Sequence, residues 1–133
     1  MKRTLWLVAL LSVLGARAFA ALGDNETTIE NLFGKPVKQG APDKRGITTN
    51  LYEKGNYVIL IQFLKHLSLA ESYTRGDQTE LSQKEIDAFL EGSSNGLAWA
   101  KDPKKQAWER MDHKAKAWTT TVRDRPSLLI EAE

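Results

Sequence analysis

The sequence predicts an α+β domain in which two short helices pack on one face of a curved antiparallel sheet of about six strands, in the order α-βββ-α-βββ. Three observations predict it. The run Tyr57–Leu64 is β-branched and aromatic, with Gln62 its only strongly polar residue, as expected of a strand at least partly covered on both faces. Two segments, 24–33 and 82–91, carry apolar residues at helical spacing between a capping residue and a glycine. After Gly96 the chain breaks into short extended stretches separated by polar turns. Helices set apart from runs of strands indicate an antiparallel sheet with its helices on one side.

Residues 1–20 are expected to be a signal peptide. Lys2 and Arg3 give a basic start, residues 4–15 form an apolar run of about a dozen, and Ala18-Phe19-Ala20 is a small-x-small cleavage site, with Ala16-Arg17-Ala18 a second candidate. The apolar run is shorter than the ~20 residues that span a bilayer. Residues 21–133 are then a single exported domain, long enough for its own core. The whole chain has 19 Lys and Arg against 17 Asp and Glu. Lys2, Arg3 and Arg17 leave with the leader, so the exported part has 16 against 17, a net charge of −1. That balance gives nucleic acid no electrostatic hold. The chain has no cysteine, which suits a bacterial periplasmic or secreted domain better than a small disulfide-stapled eukaryotic one. No Cys follows the apolar run, so no stable membrane anchor is expected.

The first helix, 24–33, has Asp24 as its expected cap and Ile29, Leu32 and Phe33 on one face; Gly34 and Pro36 stop it. Residues 35–46 form a connector with two prolines and two glycines. Residues 47–52 read as a strand, turned through Glu53-Lys54-Gly55-Asn56 into the central strand. Lys65-His66 joins that strand to a third, 67–74, whose alternation sets Leu67, Leu69, Glu71 and Tyr73 on one face and Ser68, Ala70, Ser72 and Thr74 on the other.

The second helix is the best specified locally. Ser82 and Glu85 stand as a capping box, Leu81 and Ile86 as a hydrophobic staple, and Ile86, Phe89 and Leu90 as the buried face, with Gly92 the expected stop. Three or four further strands follow: 97–100, 107–111, 114–122 and 127–132.

The residues offer no recognisable catalytic constellation, and the domain is expected to be non-enzymatic. No serine lies in a Gly-x-Ser-x-Gly elbow, thiol chemistry is absent, and there is no Gly-rich phosphate loop. His66 and His113 fall in turns, and a metal site needs three or four convergent ligands, so neither a metal nor another cofactor is expected. The tryptophans are the sharper feature. On strand 114–122, Ala115 and Ala117 share one face and Trp118 the other. If the alanine side is the core, Trp118 lies outside, with Trp108 and Arg110 beside it. Trp108, Arg110 and Trp118 are therefore the candidate binding residues, for a protein partner or, as the alternative, for a glycan stacked on the indoles.

One segment resembles a known family. Leu22-Gly23-Asp24, Ile29, Phe33-Gly34-Lys35-Pro36 and the later Val-Ile-Leu-Ile-Gln-Phe strand are similar to small outer-membrane lipoproteins of the SmpA/OmlA (BamE) type and to domains of the β-lactamase-inhibitor-protein-like fold. The likeness spans roughly residues 22–74. It implies helices packed on an antiparallel sheet and a non-enzymatic role in envelope assembly or protein binding. The lipoprotein Cys is missing, Lys65-His66 stands where an Asp-Gly type of turn is expected, and the second helix and Trp-bearing strands have no counterpart. The resemblance assigns no functional residue.

Overall fold

A computed structural model describes residues 22–133; the expected signal peptide lies outside the described residues. The elements are α1 (Glu26–Phe33), β1 (Lys38–Gln39), β2 (Ile47–Lys54), β3 (Tyr57–Leu64), β4 (Leu67–Arg75), α2 (Gln83–Gly92), β5 (Trp99–Lys101), β6 (Ala107–Arg110), β7 (Ala115–Val122) and β8 (Arg125–Ala132). The sheet has eight strands, all antiparallel, in the order β1-β2-β3-β4-β8-β7-β6-β5. This corrects the expectation of about six strands in the order α-βββ-α-βββ. Each half is a helix followed by a four-strand meander, and the halves join where β4 pairs β8. The domain is mostly sheet.

One strand hidden from the sequence is β1, which lies inside the expected connector. Lys38 and Gln39 carry no apolar signal because both are exposed on an edge. The edge forms through backbone bonds, Val37 N–H to Leu51 O and Gly40 N–H to Thr49 O, at 2.7 and 2.9 Å. At the opposite edge β5 is only three residues long, of which Trp99 alone is half-buried. Short polar edges of this kind discourage pairing with other chains.

Both helices lie on one face, as expected. Ile29 and Phe33 of α1 and Ile86, Phe89 and Leu90 of α2 share a core with Tyr52, Ile59, Ile61, Phe63, Tyr73, Leu128 and Ile130 from the inner sheet face. Phe89 stacks on Tyr73 with ring centroids 4.1 Å apart and meets Tyr57 edge-on at 5.1 Å. Burying each such aromatic contributes about 2–3 kcal/mol.

Local chemistry sets the helix ends. Ser82 and Glu85 make the capping box, each accepting from the other's backbone amide. α2 then runs one residue beyond the expected segment 82–91, taking the expected stop Gly92 into the helix, and Ser93 caps it. For α1 the cap is Asn25, not Asp24: Asn25 Oδ1 accepts from Thr28 N–H at 2.8 Å. The Asp24 carbonyl is already taken by Ser68 N–H at 2.9 Å, and Gly23 N–H bonds Ser68 O. That bridge to the start of β4 holds the chain extended until residue 25.

The alternation expected along β4 breaks at a bulge. Gln62 pairs with Ala70 but Phe63 pairs with Ser68, so Leu69 has no partner opposite. The extra residue turns Ser68 onto the inner face with Glu71 and Tyr73.

Candidate functional site

The face opposite the helices is covered by no helix or strand among the described residues. Register across it gives a row one residue deep over six strands: Leu51, Leu60, Ser72, Leu129, Trp118 and Ala107. The two leucine positions on β2 and β3, Leu129, Trp118 and Ala107 are half-buried; Ser72 is 4% exposed. Along β4 the outward residues are small, Ala70, Ser72 and Thr74, and all are buried between their larger neighbours. They floor a furrow, with Val58, Leu60 and Gln62 of β3 on one side and Leu129 and Glu131 of β8 on the other. Thr74 Oγ1 and Ser127 Oγ share a hydrogen bond at 2.6 Å. Ser72 Oγ has none. An unpartnered buried hydroxyl costs about 1–3 kcal/mol, so its position in the middle of an uncovered apolar row is informative.

The structure separates the three residues expected to bind together. Trp118 lies on the outer face, as the alanine argument predicts, since Ala115 and Ala117 are fully buried on the inner one. Trp108 and Arg110 do not lie beside it on that face. Trp108 pairs with Ala117, points inward and is 5% exposed. Arg110 also points inward: its Nη1 donates to Ser93 O at 3.0 Å, and Nε and Nη2 clasp Asp112 at 2.9 and 3.0 Å. Arg110 therefore ties α2's C-terminus to the β6–β7 turn and holds the Asp112 carboxyl below its usual range. The error came from β6, four residues whose pattern is too short to show which face is buried. Trp108 still meets Trp118 at one place. A hollow of about 880 Å³ at the β5–β6–β7 end has both indoles in its wall, together with Lys101, Lys105 and Lys116.

Two polar clusters lie on the helix side. Glu71 is fully buried and accepts from Tyr73 OH and Ser68 Oγ, both at 2.9 Å, and from Ser93 Oγ at 3.4 Å. Burial pushes its carboxyl up to about 7, against the opposing pull of those hydroxyls. The sequence marks Glu71 only as an acid in a strand; its burial follows from the bulge and from α2's cap. At the other end of β4, Arg75 holds Glu85 bidentately and Tyr57 donates to the same carboxylate. Arg75 thereby draws Glu85 down to about 2, while burial, then the bond to Glu85, pushes Tyr57 up to about 12. The cluster anchors α2's first turn to β3 and β4.

Both histidines sit in exposed turns. His66 lies 3.1 Å from Glu26 and His113 lies 3.0 Å from Glu109. Among the described residues no group of three His, Cys, Asp or Glu side chains converges as metal ligands. None of the described helices is long and apolar enough to cross a membrane.

No family model and no curated protein matches the chain. Among solved structures it is similar to a cysteine-rich secretory protein from Staphylococcus aureus, at 13% identity over 84% of this chain and 43% of that one, with a TM-score of 0.49. It is similar to an extracellular protein containing an SCP domain from Bacillus anthracis, at 9% identity over 84% and 44%, with a TM-score of 0.47. A DUF4309 family protein from Bacillus subtilis has 13% identity over 83% and 79%, with a TM-score of 0.44. The chain spans less than half the length of the first two. None of the three is described as a SmpA/OmlA-type lipoprotein or a β-lactamase-inhibitor protein.

Proposed function

We propose that this is an exported bacterial domain, periplasmic or secreted, that acts without catalysis by binding a protein in the cell envelope or outside the cell. The observation that supports this is the outer sheet face: a largely apolar row across six strands with Trp118 in it and, among the described residues, no helix over it. Trp118 replaces the earlier trio as the binding residue, and Trp108 and Arg110 hold the structure beneath it. Trp118→Ala weakens capture of the partner while leaving the thermal midpoint nearly unchanged. Trp108→Ala, by contrast, destabilises by about 3–5 kcal/mol because it empties a core site. A comparable loss of stability in Trp118→Ala overturns the docking role.

The lysine-bordered hollow, with the half-buried Trp118 indole and the edge of buried Trp108 in its wall, favours a second reading, glycan binding. A shift in tryptophan fluorescence on adding cell-wall fragments supports it, and no shift at saturating fragment counts against it.

A further inference from the structure

The outer face changes character at its β5–β6–β7 end. Trp118 has Leu129 beside it on β8 but only the methyl of Ala107 beside it on β6. In the neighbouring row Ala100 of β5, Glu109 of β6 and Lys116 of β7 stand side by side. The alternation that turns Trp108 and Ala117 inward puts these residues outside with Trp118, and all of them line the hollow of about 880 Å³. Sites for small ligands span about 300–1,000 Å³. Two alanines thus floor a shelf that runs from the half-buried indole to the sheet edge, two strand spacings or about 10 Å away. A flat aromatic flank above a shallow floor suits the C–H face of a sugar ring.

The loop that borders this shelf is basic and held in place. Residues 101–105 carry three lysines against Asp102, a charge of +2 in an exported domain whose total is −1. None of Lys101, Lys104 and Lys105 makes an ion pair among the described residues. Lys101 Nζ instead donates to Asp102 O and Lys105 O, at 3.2 and 3.3 Å, and lies 5.9 Å from the centre of the Trp108 ring. Asp102 Oδ1 accepts from Lys104 N–H at 2.8 Å, and Pro103 restricts the backbone between them. The other charges of the hollow are matched within the protein. Glu109 lies 3.0 Å from His113, and Lys116 is paired with Glu133 at 2.7 Å. The unmatched charge is therefore positive, on Lys101 and Lys105 in the wall of the hollow.

We infer that this hollow binds an acidic glycan, with a sugar ring stacked on Trp118 above Ala107 and the sugar carboxylate met by Lys105 and Lys101. The inference rests on the glycan reading of the hollow and names the class of sugar. A neutral glycan offers the ring without the charge, and a polyol phosphate offers the charge without the ring. A carboxylated sugar supplies both within one hollow. Because the loop is fixed by its own hydrogen bonds, it needs little ordering on binding.

The test is isothermal titration calorimetry on the chain recovered after secretion with its own leader. Three probes are compared: tetragalacturonate, its neutral counterpart galactotetraose, and inorganic polyphosphate. Tetragalacturonate is expected to bind about tenfold or more tightly than the neutral sugar, an advantage that shrinks at high salt. Trp118→Ala weakens the binding of either sugar. The double change Lys104→Gln and Lys105→Gln removes the advantage of the acid, whereas Lys38→Gln, on the opposite edge of the sheet, changes nothing. Circular dichroism establishes that each variant is folded; where Trp118→Ala fails to fold, Trp118→Leu takes its place. Equal affinity for the two sugars, or an acid preference indifferent to the lysine changes, overturns the inference and leaves the glycan reading standing. Polyphosphate bound as tightly as tetragalacturonate, with Trp118→Ala without effect, overturns both. Absence of binding by all three probes overturns the inference, and the titration with cell-wall fragments then decides the glycan reading separately.

Discussion

Replacing Glu71 by Gln changes one protonation equilibrium at the centre of the inner face and almost nothing in shape. The folded carboxyl sits at about 7, against an ordinary value of 4.5, because burial strips it of water. Its neighbours are Tyr73 and Ser68 on β4, Ser93 at the end of α2, and Asp24 at the start of α1, whose charge pushes the same way as burial. Arg110, the cation reaching in from β6, is occupied by Asp112 and Ser93 O. The fold thus favours neutral Glu71. Below about pH 4.5 the group is neutral folded or unfolded, and its full contribution to stability is present. Between 4.5 and 7 the unfolded chain ionises first, and stability is lost as pH rises; above 7 the loss is complete. A rise of about 2.5 pH units corresponds to about 3 kcal/mol. Gln does not titrate, and its amide can donate to a hydroxyl that rotates to accept. Glu71→Gln should therefore match the wild type near pH 4 and exceed it by about 3 kcal/mol at pH 8, roughly 10 °C in thermal midpoint. Denaturant melts of both proteins from pH 4 to 8.5 measure the difference directly. Parallel profiles, or a Gln variant less stable at pH 8, refute the account of a strained buried acid.

Other substitutions probe other parts of the fold. Glu85→Gln weakens the clasp with Arg75 and the capping box and should cost about 1–2 kcal/mol at pH 7. Because the folded Glu85 carboxyl is depressed to about 2, that stability is present above 4.5 and lost as pH falls toward 2, so melts at pH 7 and pH 2 should show the deficit shrinking. Lys65 and His66 form a two-residue turn with φ of 53° and 67°, a conformation that costs side-chain-bearing residues about 1 kcal/mol or more each. The double change Lys65→Asn and His66→Gly should raise stability by about 1–2 kcal/mol in a urea melt, despite losing the exposed His66–Glu26 contact. Gly40→Ala would place a methyl 2.7 Å from the Thr49 carbonyl oxygen, and should cost about 1–3 kcal/mol while speeding amide exchange at Gly40.

Legibility differs from element to element for physical reasons. Ser82 and Glu85 are three residues apart, so the box that starts α2 is written locally and forms as the sequence indicates. β3 is legible because its apolar run is long. β1 is not, since two exposed residues at an edge are ordered only by bonds to β2. The candidate site divides the same way. Trp118 could be placed because eight residues of β7 display two faces, one lined by Ala115 and Ala117. Trp108 and Arg110 could not, because β6 is too short.

By itself, then, the sequence determined what short-range chemistry controls: which segments bury an apolar face, where α2 is capped, which turns break the strands, and that antiparallel strands with helices on one side would satisfy them. Only the tertiary structure decided the rest. The bulge opposite Phe63 turns Ser68 inward beside buried Glu71. The β4–β8 pairing brings residues more than fifty positions apart in the chain into one row, with Leu60, Ser72, Leu129 and Trp118 side by side. Neither outcome depends on local preference. Both follow from strand register, which is fixed when distant segments pair, and a single step of register exchanges the two faces of a strand.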